Sequence, residues 1–245
     1  MLATKVGRLL RPDAPPQSDT FPGAPPLNPV FDFSYDGVMR SVEESVTRLG
    51  IDSIDILHIH DPDDNFAAAL SGAYPALDRL RAEGTIKAVG AGMNQAEMLA
   101  RFAREANFDC FLLAGRYTLL DQVGLKELLP LCVERGIAII AGGVFNSGIL
   151  ADPRPGTHYN YLAAPDELVQ RAARIKAICE RHGVSQKAVA IQFPLGHPAV
   201  QTVLTGCRSA DELNENVEAF RAPVPPAVWQ DLKAADLLTA DAPVP

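Results

Sequence analysis

Short apolar runs alternate with longer amphipathic stretches along almost the whole of this 245-residue sequence. The apolar runs have the length of β-strands, and the amphipathic stretches repeat their apolar residues at helical intervals. Runs that are apolar throughout predict strands covered on both faces, which is typical of a parallel sheet with helices packed against it. The pattern therefore predicts an α/β fold with six strands, near residues 2–6, 54–60, 86–91, 109–113, 137–141 and 200–205.

Two sheet architectures fit this order of elements. Polar residues and glycines follow the strands at their C-terminal ends, which form the active face of a (β/α)8 barrel. The residues concerned are Lys5, His60, Asn94, Gly142 and Gly206. Six strands cannot close an eight-stranded barrel, whereas a doubly wound sheet accommodates six strands. That second fold normally has a glycine-rich turn after its first strand, and no GxGxxG motif is present there. The strands alone leave both architectures open.

Charge and composition exclude several classes of partner. The sequence has 22 basic against 30 acidic residues and no basic cluster, which argues against nucleic acid and anionic membranes as partners. No run approaches the roughly 18 apolar residues of a membrane span, and the first residues lack the features of a signal peptide. Four scattered cysteines without metal-type spacing are typical of a reduced protein, so we expect a cytoplasmic location.

A proline-rich stretch follows the first predicted strand. Residues 11–29 contain seven prolines, which predicts a long surface segment without regular structure. Such a segment is either a disordered linker or a loop lying over a site, and its composition leaves both interpretations open.

Three polar residues on two predicted strands are candidates for a catalytic or ligand-binding role. His58 and His60 lie two residues apart and therefore point to the same side of one strand, with His60 at its exit. Structural histidines are one alternative, and a metal-dependent hydrolase using both histidines with Asp61 and Asp63 is another. Lys5 ends an apolar strand, where lysine is rarely buried without a partner. A lysine held in a barrel mouth can lower the pKa of a neighbouring tyrosine.

Two turns predict close contact with a phosphate-bearing ligand. In "TGCRSADELNEN", Ser209 and Glu212 have the spacing of a helix-capping box, and Gly206 and Arg208 directly precede that helix. Free backbone N–H groups and the helix dipole attract anions there, and Arg208 adds guanidinium donors. The second turn, "GGVFNSGIL", follows a strand and contains glycines that permit close approach of the backbone to a ligand.

Six motifs in this order together resemble the aldo-keto reductase superfamily, and its sugar-dehydrogenase branch in particular. They are "LATKVGR", "DSIDILHIHDPD", "LRAEGTIKAVGAGMNQ", "GRYTLLDQ", "GGVFNSGIL" and "VLTGCRSADELNENV". The resemblance implies one (β/α)8 barrel domain over residues 1–245, which binds NAD or NADP without a Rossmann fold. It also implies an oxidoreductase that transfers hydride between the nicotinamide and an aldose or aldehyde, by oxidation at sugar C1 or by carbonyl reduction.

The resemblance assigns roles to individual residues. Lys5 matches the family lysine that tunes a catalytic tyrosine, and His60 matches the histidine that helps to orient the carbonyl. Asn94 matches the residue that holds the nicotinamide carboxamide. The two glycine-rich turns and the helix that follows the second match the pyrophosphate and adenosine sites, through Phe145, Asn146, Ser147, Gly148, Gly206, Arg208, Ser209, Glu212 and Asn216.

Four positions bear on how the cofactor would be held. Ala114 stands where many family members have a glutamine that contacts the amide, and Gly142 replaces an aromatic residue that often stacks on the nicotinamide. Glu212 stands where NADP-preferring members often have arginine. A carboxylate would repel a 2′-phosphate and accept from a ribose hydroxyl, which favours NAD. Arg208 favours NADP, so the choice stays open.

The family also places an aspartate and a tyrosine in two β-α units before the strand that matches "MLATKVGR", and this sequence has neither unit. Its tyrosines lie elsewhere, at positions 35, 74, 117, 159 and 161. We expect a start that was assigned too late, with a gene fragment as the alternative, and hence a barrel lacking its first two β-α units. Hydride transfer to a carbonyl needs a proton donor, so we expect impaired activity or an inactive nucleotide-binding remnant.

Overall fold

A computed structural model describes residues 1–15, 26–160 and 162–245 of the chain. All six predicted strands are present, as β1 Ala3–Val6, β4 Ile56–His60, β5 Ala88–Met93, β6 Cys110–Ala114, β7 Ala138–Gly142 and β10 Val200–Leu204. They form one sheet in the order β1-β4-β5-β6-β7-β10. A doubly wound sheet reverses its strand order at a switch point, and this sheet does not. The order is that of six consecutive strands of a (β/α)8 barrel, which decides between the two architectures.

Two short antiparallel hairpins accompany the parallel sheet, and the sequence pattern did not predict them. The first pairs β2 (Arg8–Arg11) with β3 (Asn28–Phe31). The second pairs β8 (His158–Tyr159) with β9 (Leu162–Ala163). In a two-stranded ribbon, each strand has one edge that does not pair with the other strand. Proline, which a central strand excludes, can therefore occur in such a ribbon.

The first hairpin corrects the prediction of an irregular segment over residues 11–29. Both ends of that segment are strand residues, and Pro29 lies within β3. The prolines hid the strand because proline is normally a signal against it. Residues 16–25, the middle of the predicted loop, lie outside the described residues.

The helices follow the strands as the periodicity predicts. They are α1 Tyr35–Leu49, α2 Phe66–Ala68, α3 Tyr74–Ala82, α4 Ala96–Glu105, α5 Leu128–Arg135, α6 Asp166–Arg181, α7 Gln186–Gln192, α8 Ala210–Arg221 and α9 Pro226–Ala234. A π-helical turn, Ala69–Ala73, lies between α2 and α3. Within the described ranges, no helix has the length and apolar character needed to cross a membrane.

Local capping explains where α1 begins and ends. The Ser34 hydroxyl accepts a hydrogen bond from the Gly37 backbone N–H at 3.1 Å, which satisfies one of the free donors of the first turn. Gly50 has a φ of 64°, and its N–H donates to the carbonyls of Val46 and Thr47. The helix ends at this position because glycine adopts the left-handed conformation without a Cβ clash.

The described residues group into two compact units, each considered by itself. Unit 1 comprises Met1–Met93 and Arg101–Phe111. Within it, β4 pairs in parallel with β1 on one side and with β5 on the other. Leu57 and Ile59 of β4 are completely buried, as the apolar run predicts. Burial of such side chains is the main favourable contribution to the stability of this unit.

Unit 2 comprises Asn94–Ala100 and Leu112–Pro245. Here β7 pairs in parallel with β10, and helix α7 packs against α8. Phe193, which follows α7, is completely buried and lies 6.3 Å from the ring centre of Trp229. The assignment of residues 1–245 to one domain stays a prediction.

Candidate functional site

Unit 1 places Lys5 and the two histidines on one face of the sheet. Lys5 is the register partner of His58 across the parallel β1–β4 pair. Register partners point to the same face, and so do residues two apart on a strand, which adds His60 to this face. The positive charge of Lys5 acts on both imidazoles and lowers the pKa of each, so the three groups lie near one another.

His58 is the buried member of this group, with only 2% of its surface exposed. Burial, reinforced by the charge of Lys5, lowers its pKa to about 4, so the ring is neutral at physiological pH. Gly90 of the neighbouring strand makes room for the ring: a Cβ there would overlap its Nδ1 and lie 2.9 Å from the carbonyl oxygen of Cys110. His58 is therefore a packed core histidine rather than an exposed one.

His60 lies at the exit of β4 and is partly exposed. Burial and the positive charge of Arg8, followed by smaller effects of Lys5 and His58, lower its pKa to about 3. Its Nε2 is 3.4 Å from Oδ2 of Asp61, but that carboxylate is already ion-paired with Arg8. Because the carboxylate charge is neutralised, the ring stays uncharged near pH 7.

The metal alternative has no support in the described residues. Across residues 1–15, 26–160 and 162–245, no group of three or more histidine, cysteine, aspartate or glutamate side chains could hold a metal ion. Asp61 instead forms an ion pair with Arg8.

Unit 2 contains a cavity of about 570 Å³, called here the unit 2 cavity. Nine of the ten residues that the resemblance assigns to the cofactor line it, and they come from four separate stretches of the chain. They are Asn94, Phe145, Asn146, Ser147, Gly148, Gly206, Arg208, Glu212 and Asn216. The tenth, Ser209, is the N-cap of α8 and accepts a hydrogen bond from the backbone N–H of Glu212 at 3.1 Å.

The turn after β7 forms one wall of the unit 2 cavity. Asn146 and Ser147 both have positive φ angles, 45° and 58°, and Gly148 follows at 97°. The Asn146 amide donates to the carbonyl of Gly115 at 3.2 Å, which ties this turn to the exit of β6. A Cβ on Gly143 would lie 3.1 Å from the Gly115 backbone nitrogen, so the close approach of the two strand exits depends on glycine.

The loop before α8 and the first turn of that helix contribute a pair of opposite charges to the cavity wall. Glu212 accepts three hydrogen bonds from Arg208: from its backbone N–H at 2.7 Å, from Nη2 at 2.7 Å and from Nε at 3.1 Å. These bonds lower the pKa of Glu212 and raise that of Arg208. The predicted capping box is thus half correct, because Ser209 caps the helix but the Glu212 carboxylate binds the residue before the cap.

Sequence reasoning missed a second ion pair that lines the same cavity. Lys187 of α7 places its Nζ 2.9 Å from Oε2 of Glu215 on α8, and 5.9 Å from the ring centre of Phe145. The lysine is about one quarter exposed, whereas the glutamate is mostly exposed. A lysine within a helix carries no motif, so only the packing of α7 against α8 reveals it.

Asn216 completes the cavity wall on α8. It is 6% exposed, and its amide nitrogen lies 3.2 Å from the sulfur of Cys207. Its oxygen Oδ1 is buried with no hydrogen-bond partner among the described residues, and Oδ1 of Asn146 is in the same state. A buried amide oxygen without a donor is unfavourable, so both oxygens are suited to accept a hydrogen bond from a ligand.

The fold agrees with what comparison with known proteins shows. The model of the aldo/keto reductase family matches residues 1–237. The chain is 42% identical to pyridoxal 4-dehydrogenase of Microbacterium luteolum, over 98% of this chain and 76% of that protein. It is also 42% identical to D-threo-aldose 1-dehydrogenase of a Pseudomonas species, over 97% of this chain and 75% of that protein.

Among solved structures, the chain resembles an aldo-keto reductase from Bacillus halodurans in its holo form. The TM-score is 0.73 at 23% identity, and the match covers 98% of this chain and 74% of that one. At this identity the likeness shows the fold, a (β/α)8 barrel, while the sequence matches show the family. The chain therefore belongs to the aldo/keto reductase family of oxidoreductases.

Proposed function

We propose that this chain binds NAD or NADP and transfers hydride between the nicotinamide and a small carbonyl or sugar substrate. The observation that carries the proposal is the unit 2 cavity, because folding brings nine of the ten residues that the resemblance assigns to the cofactor to its walls. Membership of the family supports oxidoreductase chemistry. The names of the two relatives, a pyridoxal and an aldose dehydrogenase, support a small carbonyl or sugar as substrate.

The residues of the unit 2 cavity fit a dinucleotide. The unpartnered oxygen of Asn216 is suited to accept from an adenine amino group, and we assign Asn94, on the cavity wall, to the carboxamide. The loop that ends in Ser209 opens helix α8, whose N-terminus attracts phosphate through its free N–H groups and dipole. The glycine turn after β7 allows a pyrophosphate to approach the backbone closely.

Charge balance indicates which cation would meet the pyrophosphate. The cavity has two cations, Lys187 and Arg208, each paired with a glutamate of α8, so its charged side chains cancel. A doubly negative pyrophosphate is favourable only if a cation is redirected towards it. The side chain of Lys187 has one hydrogen bond to release, to the exposed Glu215, whereas the guanidinium of Arg208 has two to Glu212. We therefore assign the pyrophosphate contact to Lys187.

The same carboxylate of Glu212 bears on the choice between NAD and NADP. Glu212 lies on the cavity wall and keeps a low pKa, so it is ionised. An ionised carboxylate repels a 2′-phosphate and accepts from a ribose 2′-hydroxyl. Arg208 would attract the 2′-phosphate, but its guanidinium is engaged by that same carboxylate. We therefore assign NAD as the preferred cofactor.

In unit 1, His60 and Lys5 are assigned to the substrate oxygen. When bound, the nicotinamide supplies or accepts the hydride. The neutral imidazole of His60 can donate one N–H to a carbonyl oxygen. Lys5 adds positive charge on the same face, which stabilises negative charge that develops on that oxygen.

Titration with NADH and with NADPH, followed by cofactor fluorescence, tests the binding half of the proposal. We expect saturable binding, weakened about tenfold in N216A because one hydrogen bond is lost. The matched control is N214A, two residues away and exposed on the same helix. Turnover is then measured with pyridoxal and with aldoses. Failure to bind either cofactor would overturn the proposal, and binding without any turnover would identify a nucleotide-binding remnant instead.

A further inference from the structure

Two charged side chains, Arg8 and Asp61, lie beside His60 in unit 1, and the ring of Phe31 lies against one of them. Arg8, the first residue of β2, donates from Nη2 to Oδ2 of Asp61, the residue that follows His60. The Arg8 guanidinium carbon also lies 4.9 Å from the ring centre of Phe31. Arg8 and Phe31 are register partners in the hairpin, so one hairpin end presents both side chains.

Phe31 is supported from within unit 1 but remains open to solvent. Its ring stacks on that of Phe33 at 5.8 Å between centres and 26° between planes. Phe33 is 4% exposed, whereas Phe31 is 45% exposed. A large aromatic ring that is held by a neighbouring ring and is still nearly half exposed is suited to pack against an apolar part of a ligand.

The carboxylate of Asp61 is held in a costly position. Its φ of 42° is in the left-handed region, which aspartate tolerates better than most residues but which is uncommon and clusters at functional sites. Both of its contacts, to Arg8 and to His60, are made through Oδ2. The Asp61 side chain is 37% exposed, so its second oxygen, Oδ1, can accept a hydrogen bond from a ligand hydroxyl. Burial raises the pKa of the Asp61 carboxyl, and the positive charge of Arg8 acts in the opposite direction.

We propose that Arg8, Asp61 and Phe31 form a binding subsite for the hydroxyl-bearing part of the substrate, which makes a polyhydroxylated aldehyde or aldose the preferred class. The proposal rests on the proposed function, in which His60 orients the reacting carbonyl. Oδ1 of Asp61 accepts from one hydroxyl and the guanidinium of Arg8 donates to its neighbour, through charge-assisted hydrogen bonds. The ring of Phe31 covers the apolar C–H face of the same carbon chain.

A structural tether is the competing role for this ion pair, since it also joins the hairpin to the end of β4. An exposed ion pair contributes little to stability. If the pair of Arg8 and Asp61 were only a tether, its removal should therefore not change the ratio of kcat/KM between two substrates. The chain offers a matched control in Arg11, the last residue of the same strand, which pairs with Glu44 at 3.0 Å. Arg11 and Arg8 are about equally exposed, at 30% and 27%.

The test compares R8M, D61N and R11M in the full chain with two substrates under the same cofactor. One is an aldose with free hydroxyls next to the carbonyl, and the other is a straight-chain aldehyde without them. We expect R8M and D61N to reduce kcat/KM about 10- to 100-fold for the aldose, mainly through KM, and less than threefold for the plain aldehyde. R11M should change neither value.

Binding supplies a readout that does not need turnover. Addition of the aldose alone should shift the imidazole NMR signals of His60 in the wild type, and R8M should abolish the shift. An equal loss of kcat/KM for both substrates would show that the ion pair is a tether and would overturn the subsite. The subsite would also be overturned if R8M kept the wild-type ratio of kcat/KM between the aldose and the plain aldehyde. A wild type that binds no aldose also overturns it. Loss of cofactor binding in the wild type, in contrast, contradicts the proposed function itself.

Discussion

The imidazole of His58 lies directly over Gly90, in the space that a side chain at position 90 would need. In a close-packed interior such an overlap cannot be relieved without moving a strand. We therefore expect G90A to lower the free energy of unfolding by about 2 to 3 kcal/mol, measured by urea denaturation. Gly206 gives the control, because a Cβ there would meet nothing within 4 Å, and G206A should leave stability unchanged.

The two histidines of β4 predict a stability that falls in mild acid. His58 has a pKa of about 4 when folded, against about 6.5 when unfolded. Below pH 6.5 the unfolded chain therefore binds a proton that the folded chain excludes, so the free energy of unfolding decreases as pH falls from 6.5 to 4. We expect a loss of at most about 3 kcal/mol from His58 over this window.

Urea denaturation at pH 7, 5.5 and 4.5 measures the total loss, and H58Q should remove the part that comes from His58 while the part that comes from His60 remains. His60, with a pKa of about 3, should show no imidazole titration by NMR between pH 5 and 8. A histidine signal from position 60 with a midpoint near 6.5 would contradict the burial and charge effects described for unit 1.

The pairing of Glu212 with Arg208 predicts how cofactor preference can be changed. E212Q removes the charge that repels a 2′-phosphate and loosens the two bonds that hold the guanidinium. We expect the ratio of NADPH to NADH affinity to rise about 5- to 50-fold, which corresponds to about 1 to 2.3 kcal/mol. Fluorescence titration measures the ratio. The control E218Q changes an exposed glutamate of the same helix and should leave it unaltered.

Lys187 predicts a difference between ligands with and without a pyrophosphate. K187M should weaken ADP binding about tenfold, because a charged hydrogen bond is lost, and should leave adenosine binding unchanged. E215Q should strengthen ADP binding, since it releases the lysine. Isothermal titration calorimetry measures all four affinities.

The control for this experiment is K176M, which changes a lysine paired with Glu180 elsewhere in unit 2. Equal weakening of ADP and adenosine in K187M would show that the lysine supports the fold of the cavity rather than the pyrophosphate. An unchanged ADP affinity would remove Lys187 from the site altogether.

The sheet strands and the glycine turn of the unit 2 cavity could be predicted because they depend on local signals in the sequence. Apolar runs located all six sheet strands to within two residues, and the glycine turn at residues 145–148 stands out in the sequence. Lys187 could not be predicted, because its importance arises from contact with Glu215, which lies 28 residues away on another helix. The β2–β3 hairpin was missed for a different reason, since Pro29 masks a strand whose partner lies beyond a long connection.

Gly7 joins the strand of Lys5 to the hairpin of Arg8 through a single residue. Its φ of 98° is open only to glycine, and a Cβ there would collide with the ring of Phe33. No other residue fits this joint, because the Phe33 ring occupies the space of a side chain at position 7, so a substitution here would displace the hairpin relative to the lysine two residues earlier. Substitutions in this hairpin that alter substrate selection must therefore preserve the packing of Gly7 against Phe33. We expect such substitutions to change side chains of the hairpin while its backbone keeps the same conformation.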